Sequence, residues 1–141
     1  MWIRQYSAVF KDVKAVDIWN IWVDIDNWPK WHDDLDYCKL NGKFEVGSYF
    51  MLKPKNMGPV KIYLTEIVPG RKFTDCTNFF GAKMYDTHEL EETSEGLKLS
   101  NTLIVTGWLK YLWILLVAKN VADTIPNENE NLVDLARKNA K

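Results

Sequence analysis

Few side chains in this sequence have the chemistry to do more than fold. Asp86 and His88 stand two residues apart in a stretch where Met84 and Leu90 continue the same alternation. On an extended strand, residues i and i+2 share a face and lie roughly 7 Å apart. An inward-facing imidazole can serve as a general acid or base, or can hydrogen-bond a ligand carbonyl, with the carboxylate beside it. The pattern equally fits a histidine paired with a neighbouring strand, and the backbone spacing is too long for a direct dyad unless the side chains converge. His32 precedes Asp33 and Asp34. One imidazole and two carboxylates can hold a metal in principle, but solvated turn carboxylates account for the same residues, so neither metal nor cofactor is expected. Cys38 and Cys76 have no metal-type spacing and no catalytic partner in sequence. No serine sits in a nucleophile elbow, and the KPKNMGP loop at Lys53 to Pro59 is not a phosphate cradle.

Composition narrows the remaining classes. The 141 residues suit one domain, 1–141, with a real core. Seven Trp, six Tyr and six Phe supply the large apolar surfaces common in cores, interfaces and pockets. A net charge of −1, with both signs interspersed, argues against nucleic acid as a partner. The first ten residues contain Arg4, Gln5 and Ser7 rather than an apolar run. The two cysteines are therefore expected to be reduced thiols in a cytoplasmic protein.

The elements that must position these residues follow from periodicity. Trp2 to Phe10 alternates as a strand. Asp12 suits the cap of a short helix through Ala15, Ile18, Trp19 and Trp22, and Asn27 the cap of a second through Trp28, Pro29 and Trp31. Strands are expected at Leu35 to Leu40, Ser48 to Leu52, Val60 to Val68, Lys72 to Phe79, Ala82 to Glu92 and Leu97 to Thr106, separated by Asn41-Gly42, Pro69-Gly70 and Thr93 to Gly96. From Trp108 onward, Leu109, Leu112, Trp113, Leu116, Val117, Val121 and Ile125 recur at helical spacing, and the stripe resumes at Leu132, Leu135 and Ala136. Such a helix of about 30 residues is roughly 45 Å long. Pro126 is expected to bend or break it near Ala122 to Ile125. Its first turns are apolar nearly all round, with Tyr111, Ile114 and Leu115 opposite Leu109 and Trp113, and the apolar run is too short for the roughly 20 residues of a membrane span.

The order of elements resembles the helix-grip superfamily, which includes the birch-pollen allergen, the START lipid-transfer domains and the polyketide cyclase/dehydrase-like (SRPBCC) branch. VDIWNIWVDIDNWPKWH (Val16 to His32) is similar to its helix pair. GKFEVGSYFMLKPKNMGPVK (Gly42 to Lys61) resembles its Gly-x-Phe-x-x-Gly strand, and IVPGRKF (Ile67 to Phe73) its hairpin. THELEETSEGLKL (Thr87 to Leu99) resembles the penultimate hairpin, and TGWL (Thr106 to Leu109) the glycine leading into the C-terminal helix. The resemblance implies an α+β helix-grip domain: a curved antiparallel sheet of six to seven strands around a long C-terminal helix, with two short helices after the first strand. It further implies a cavity for a hydrophobic or amphipathic small molecule, lipid-like, polyketide-like or aromatic.

The residues expected to line that cavity are Trp31, Phe50, Leu52, Met84, His88, Leu103, Trp113, Leu116 and Val117. Two other readings stay open. One is a cyclase or dehydrase using His88 and Asp86 as acid and base; the other is a protein-interaction or co-chaperone module using the apolar helix start. The expected partner is a hydrophobic small molecule, without nucleic acid or a transmembrane segment. Transient membrane contact and a monomer or weak homodimer are compatible with this reading.

Overall fold

In the computed structural model, which describes residues 1–140, seven strands form one sheet in the order β1-β7-β6-β5-β4-β3-β2. The strands are β1 (Trp2–Phe10), β2 (Leu35–Asn41), β3 (Tyr49–Pro54), β4 (Val60–Val68), β5 (Lys72–Phe79), β6 (Ala82–Thr93) and β7 (Gly96–Thr106). Every neighbouring pair is antiparallel. Strands β2 to β7 follow one another through short turns, and β1 closes against β7, so the two short helices carry the chain from one edge to the other. Register shifts between Leu35 and Tyr37 and between Leu64 and Glu66 are bulges, which sharpen local twist and help the sheet curl. The sheet curves around the long C-terminal helix.

Helix α1 (Ala15–Val23) buries Ile18, Ile21 and Trp22, the three- and four-residue spacing of one stripe. A 3-10 helix, Ile25–Lys30, follows at once and buries Ile25 and Trp28. The Trp28 indole donates to the Trp22 carbonyl at 3.1 Å, locking the helices together where water is excluded. Neither expected cap is used. Lys14, not Asp12, holds the N-cap position of α1, because Asp12 turns through the left-handed region at φ 59°. Asn27 lies inside the 3-10 helix and donates instead to Asp24, the residue at its N-cap.

The C-terminal helix runs as α2 (Lys110–Trp113), a π-helical turn (Ile114–Ala118) and α3 (Lys119–Asn139). Pro126 lies within α3 without ending it. The irregularity falls earlier, at the π turn. The buried stripe also differs from the expected one: it consists of Ile114, Ala118, Ala122, Ile125, Asn129, Leu132, Val133 and Ala136. Leu112 and Leu116, placed in the stripe by their hydrophobicity, face outward, with Leu116 62% exposed. The face lined by Ala118 and Ala122 lets the helix axis approach the sheet closely, and the bulkier leucines would hold it off.

Gly107 sets where the helix leaves the sheet. Its φ is 111°, and a Cβ there would come within 2.7 Å of Ala82 Cα, as well as against the Gly81 carbonyl, whose oxygen accepts from Leu109 N at 2.9 Å. Backbone cannot move aside as a side chain can. Gly107→Ala is expected to lose about 1–3 kcal/mol in urea unfolding. Gly42→Ala, with positive φ but open space around it, is expected to lose less.

Candidate functional site

Along β6 the inward positions run Met84, Asp86, His88, Leu90; along β7 they run Val105, Leu103, Asn101, Leu99, Leu97. Along the C-terminal helix the buried positions run Ala118, Ala122, Ile125, Asn129, Leu132, Val133. In all three the polar residues fall between two apolar groups. One apolar group joins Met84, Leu103, Val105, Ile114, Ala118 and Ala122 near the helix start. The other, larger, gathers Trp22, Trp28, Trp31, Phe50, Phe73, Leu99, Leu132 and Ala136. A belt of polar side chains therefore crosses the interior between two apolar layers.

The strand register builds the centre of this belt. Asp75 of β5 is directly opposite Asp86 of β6, and His88 is directly opposite Asn101 of β7. His88 Nε2 lies 3.3 Å from Asp75 Oδ2 and 3.5 Å from Asp86 Oδ2, so Asp86 and His88 converge despite their strand spacing. His88 Nδ1 is 3.1 Å from Asn101 Nδ2, and Asn101 Oδ1 accepts from Asn129 Nδ2 of α3 at 2.9 Å. The imidazole is buried, stacked on Phe73 at 4.2 Å between ring centroids, with Trp22 at 5.8 Å. Nearer the surface, His32 Nδ1 lies 3.1 Å from Glu128 Oε1.

Burial penalises charge throughout the belt. It pushes the Asp86 carboxyl up to about 6, against the pull of His88, while Asp75 and Glu128 add to the rise. Burial also lowers His88, but attraction to Asp86 and Asp75, with the Asp75 hydrogen bond and Glu128, outweighs it and carries the imidazole up to about 9. An imidazolium holds a proton on each nitrogen. Once Nδ1 carries one, the Asn101 amide must turn its oxygen toward the ring, and the turn passes to Asn129.

The residues expected around one cavity divide between the layers. Trp31, Phe50 and Leu52 belong to the larger apolar group, while Met84, Leu103 and Val117 belong to the smaller. His88 lies in the belt, and Leu116 points outward. Trp113 stacks on Phe79 at 4.5 Å and donates its indole proton to the Phe80 carbonyl at 2.7 Å. Asp75, Asn101 and Asn129 were not singled out from the sequence. Asn129 did carry a signal, standing four residues after Ile125 and three before Leu132 on the buried stripe. Asn101 likewise alternates between Leu99 and Leu103. Both cysteines are free and buried, and burial lifts the Cys38 thiol to about 12.

Exposed apolar side chains lie beside the smaller layer. Trp108 and Phe80, each 76% exposed, meet edge to face at 5.9 Å, and Tyr111, Leu115 and Leu116 continue outward along the helix. A surface concavity of about 320 Å³ lies elsewhere, between Val13, Lys14 and Asp17 and the end of α3 at Ala136 and Arg137.

The belt makes a stability prediction. His88→Leu leaves two buried carboxylates without their cation and is expected to cost about 3–5 kcal/mol in denaturant unfolding. Lys39→Ala, which breaks the exposed pair with Asp26, is expected to cost no more than about 1 kcal/mol.

No family model and no curated protein sequence matches the chain. Solved structures do. A protein from Thermus thermophilus superposes with a TM-score of 0.76 at 9% identity, covering 99% of this chain and 100% of that one. A hypothetical protein from Helicobacter pylori gives 0.76 at 11%, covering 96% and 88%. The di-domain ARO/CYC protein StfQ of the steffimycin biosynthetic pathway gives 0.76 at 12%, covering 98% of this chain and 52% of that longer one. At these identities the likeness is one of architecture, and with the sheet curved around its C-terminal helix it gives this chain a helix-grip fold.

Proposed function

We propose that this protein binds an amphipathic small molecule, with its apolar part beneath the start of the C-terminal helix and its polar end toward the Asp86–His88 belt. The observation that carries this reading is the apolar surface left in solvent around the helix start. Trp108, Tyr111, Leu115 and Leu116 are all more than half exposed beside the smaller apolar layer. Exposed apolar surface of this kind marks a site for a ligand, a partner or a lipid surface. The π turn at Ile114–Ala118 adds a reason to place the opening here, because such turns interrupt regular helix and concentrate at functional sites. Displacing the helix start outward opens space against Met84, Leu103 and Val117. The belt then forms the floor, where His88, Asn101 and Asp86 offer hydrogen bonds to a hydroxyl, carbonyl or amine. Leu52, Phe50 and Trp31 lie beyond that floor and contribute packing rather than contact.

An enzymatic reading, a cyclase or dehydrase-type reaction, gains support from Asp75. It gives His88 a second carboxylate on the same face, and strongly shifted ionisable groups gathered on a concave surface are the material of acid–base chemistry. The ARO/CYC assignment of StfQ is compatible with this second reading, at an identity that conveys architecture alone. Binding remains the preferred function because it needs only the exposed apolar surface and one or two hydrogen bonds from the belt, whereas acid–base turnover needs the His88 ring, packed against Phe73, Trp22 and Trp28, to reach the reacting atoms.

Titration with a fluorescent amphiphile, followed by native mass spectrometry, tests the binding reading. A saturable one-to-one complex is expected. Met84→Trp, which fills the space beneath the helix, and Leu116→Glu, which places charge at the mouth, are each expected to weaken it about tenfold or more. Unchanged binding in both folded variants would overturn the proposed location. His88→Gln separates the two readings: a carrier loses about tenfold or less in affinity, whereas an acid–base enzyme loses about two to four orders of magnitude in turnover.

A further inference from the structure

We infer that Asp75, Asp86 and His88 form a binding site for one divalent transition ion of the zinc class. The inference starts from distances. A charge-assisted N–H···O bond is about 2.7–2.9 Å long. His88 Nε2 is instead 3.3 Å from one carboxylate oxygen and 3.5 Å from the other, and its single proton cannot serve both. Those separations match the edge of a coordination tetrahedron: zinc–ligand bonds of ~2.0–2.2 Å put neighbouring donors ~3.3–3.6 Å apart. All three donor atoms lie within 4.8 Å of one another.

Charge and hydrogen bonding point the same way. Two carboxylates stand opposite each other on adjacent strands, facing inward, a placement that destabilises a sheet when both are ionised. One imidazole neutralises only one of them. Asp86 Oδ1 is inaccessible to solvent and has no hydrogen-bond partner among the described residues, so one lone pair in the belt is unused. A dication between the three donors supplies the missing positive charge, and a bidentate Asp86 would bring Oδ1 to it as well.

The donor set selects the ion. One imidazole nitrogen with two carboxylate oxygens suits Zn²⁺, Fe²⁺ or Mn²⁺, whereas Ca²⁺ requires six to eight oxygens. All three donors come from the sheet, two of them directly paired across β5 and β6, so their spacing is fixed by the ladder rather than by a loop. Three protein donors leave a fourth position for water or for an oxygen of a bound molecule. Asn101 completes the arrangement: with its amide turned, Oδ1 accepts from Nδ1–H and orients the ring, while Asn129 holds Asn101. A second group, His32, Asp34 and Glu128, is also close enough to share an ion, but Asp34 is exposed and well hydrated. We assign the ion to the buried group.

The test uses the full chain, stripped with chelator and titrated with Zn²⁺ by calorimetry, and with Co²⁺ by visible absorption. Stoichiometric binding and the intense absorption of low-coordinate Co²⁺ are expected, together with quenching of tryptophan emission, since Trp22 and Trp28 lie 5.8 and 6.4 Å from the His88 ring. His88→Gln and Asp75→Asn are expected to weaken Zn²⁺ binding by more than about 100-fold, and Asn101→Leu by about 10–100-fold. His32→Gln is expected to bind as the wild type does. Absence of saturable one-to-one binding by the folded wild-type protein would overturn the assignment without any variant. So would binding that survives His88→Gln or disappears in His32→Gln. None of these outcomes depends on the small-molecule reading, whose test uses no metal.

Discussion

Two aspartates facing one another across adjacent strands, with their side chains turned inside, impose the demand around which this interior is arranged. Asp75 and Asp86 are a directly opposed pair on the concave face of the sheet. Like charges at that distance repel, and the apolar layers on either side offer neither water nor counterion. The belt is the response. His88 reaches both carboxylates from the next inward position of β6, Asn101 meets its other nitrogen from β7, and Asn129 descends from α3 to close the chain of hydrogen bonds. Groups from three strands and one helix are involved, so the belt fixes the height of the helix over the sheet as well as the register of the strands. A slip of one residue in β6 would turn Asp86 and His88 outward and put Tyr85 and Thr87 in their place.

The C-terminal helix meets that demand with two unlike halves. Toward its end, Leu132, Val133 and Ala136 pack into the large aromatic layer beneath α1, where Trp22, Trp28 and Phe73 meet at angles and fill the volume. Toward its start, Ile114, Ala118 and Ala122 are buried against the sheet, with Val117 and Val121 partly buried beside them, and they cover a much smaller apolar layer. Trp108, Tyr111, Leu112, Leu115 and Leu116 of that half stay in solvent. A segment held by few buried side chains, interrupted by a π turn and carrying unused apolar surface opens at lower free energy than the rest of the fold. That asymmetry leaves a loosely held segment at one end of the helix, where the proposed binding mouth lies, and a well-packed anchor at the other.

The belt also divides the two roles available to the interior. On one side of it lies the smaller apolar layer, beside the exposed side chains of the helix start. Within it lie ionisable groups whose protonation is set by burial and by one another. The proposed ligand recognition and the proposed metal coordination would therefore draw on different atoms of the same few residues: the amide and carboxylate edges facing the apolar layer, and the oxygens converging on His88 Nε2.

Much of the architecture was legible in the chain. Alternation in Trp2–Phe10, Lys72–Phe79 and Ala82–Thr93, with Asn41-Gly42 and Pro69-Gly70 between apolar runs, determines strands and hairpins because these signals act over a few residues. The inward orientation of His88 followed from the same alternation. Three things were decided only by tertiary contact. Which helical face is buried turned on Ala118 and Ala122, whose small size allows close approach but registers weakly as hydrophobicity, so the leucine-rich face carried the stronger signal. Asp12 and Asn27 look like helix caps locally, yet the paths into and out of α1 are set by packing of Trp22 and Trp28. Asp75 lies thirteen residues from His88, and no short-range rule links them. Their meeting depends on the β5–β6 register, which the whole sheet establishes, and with it the chemistry of the site.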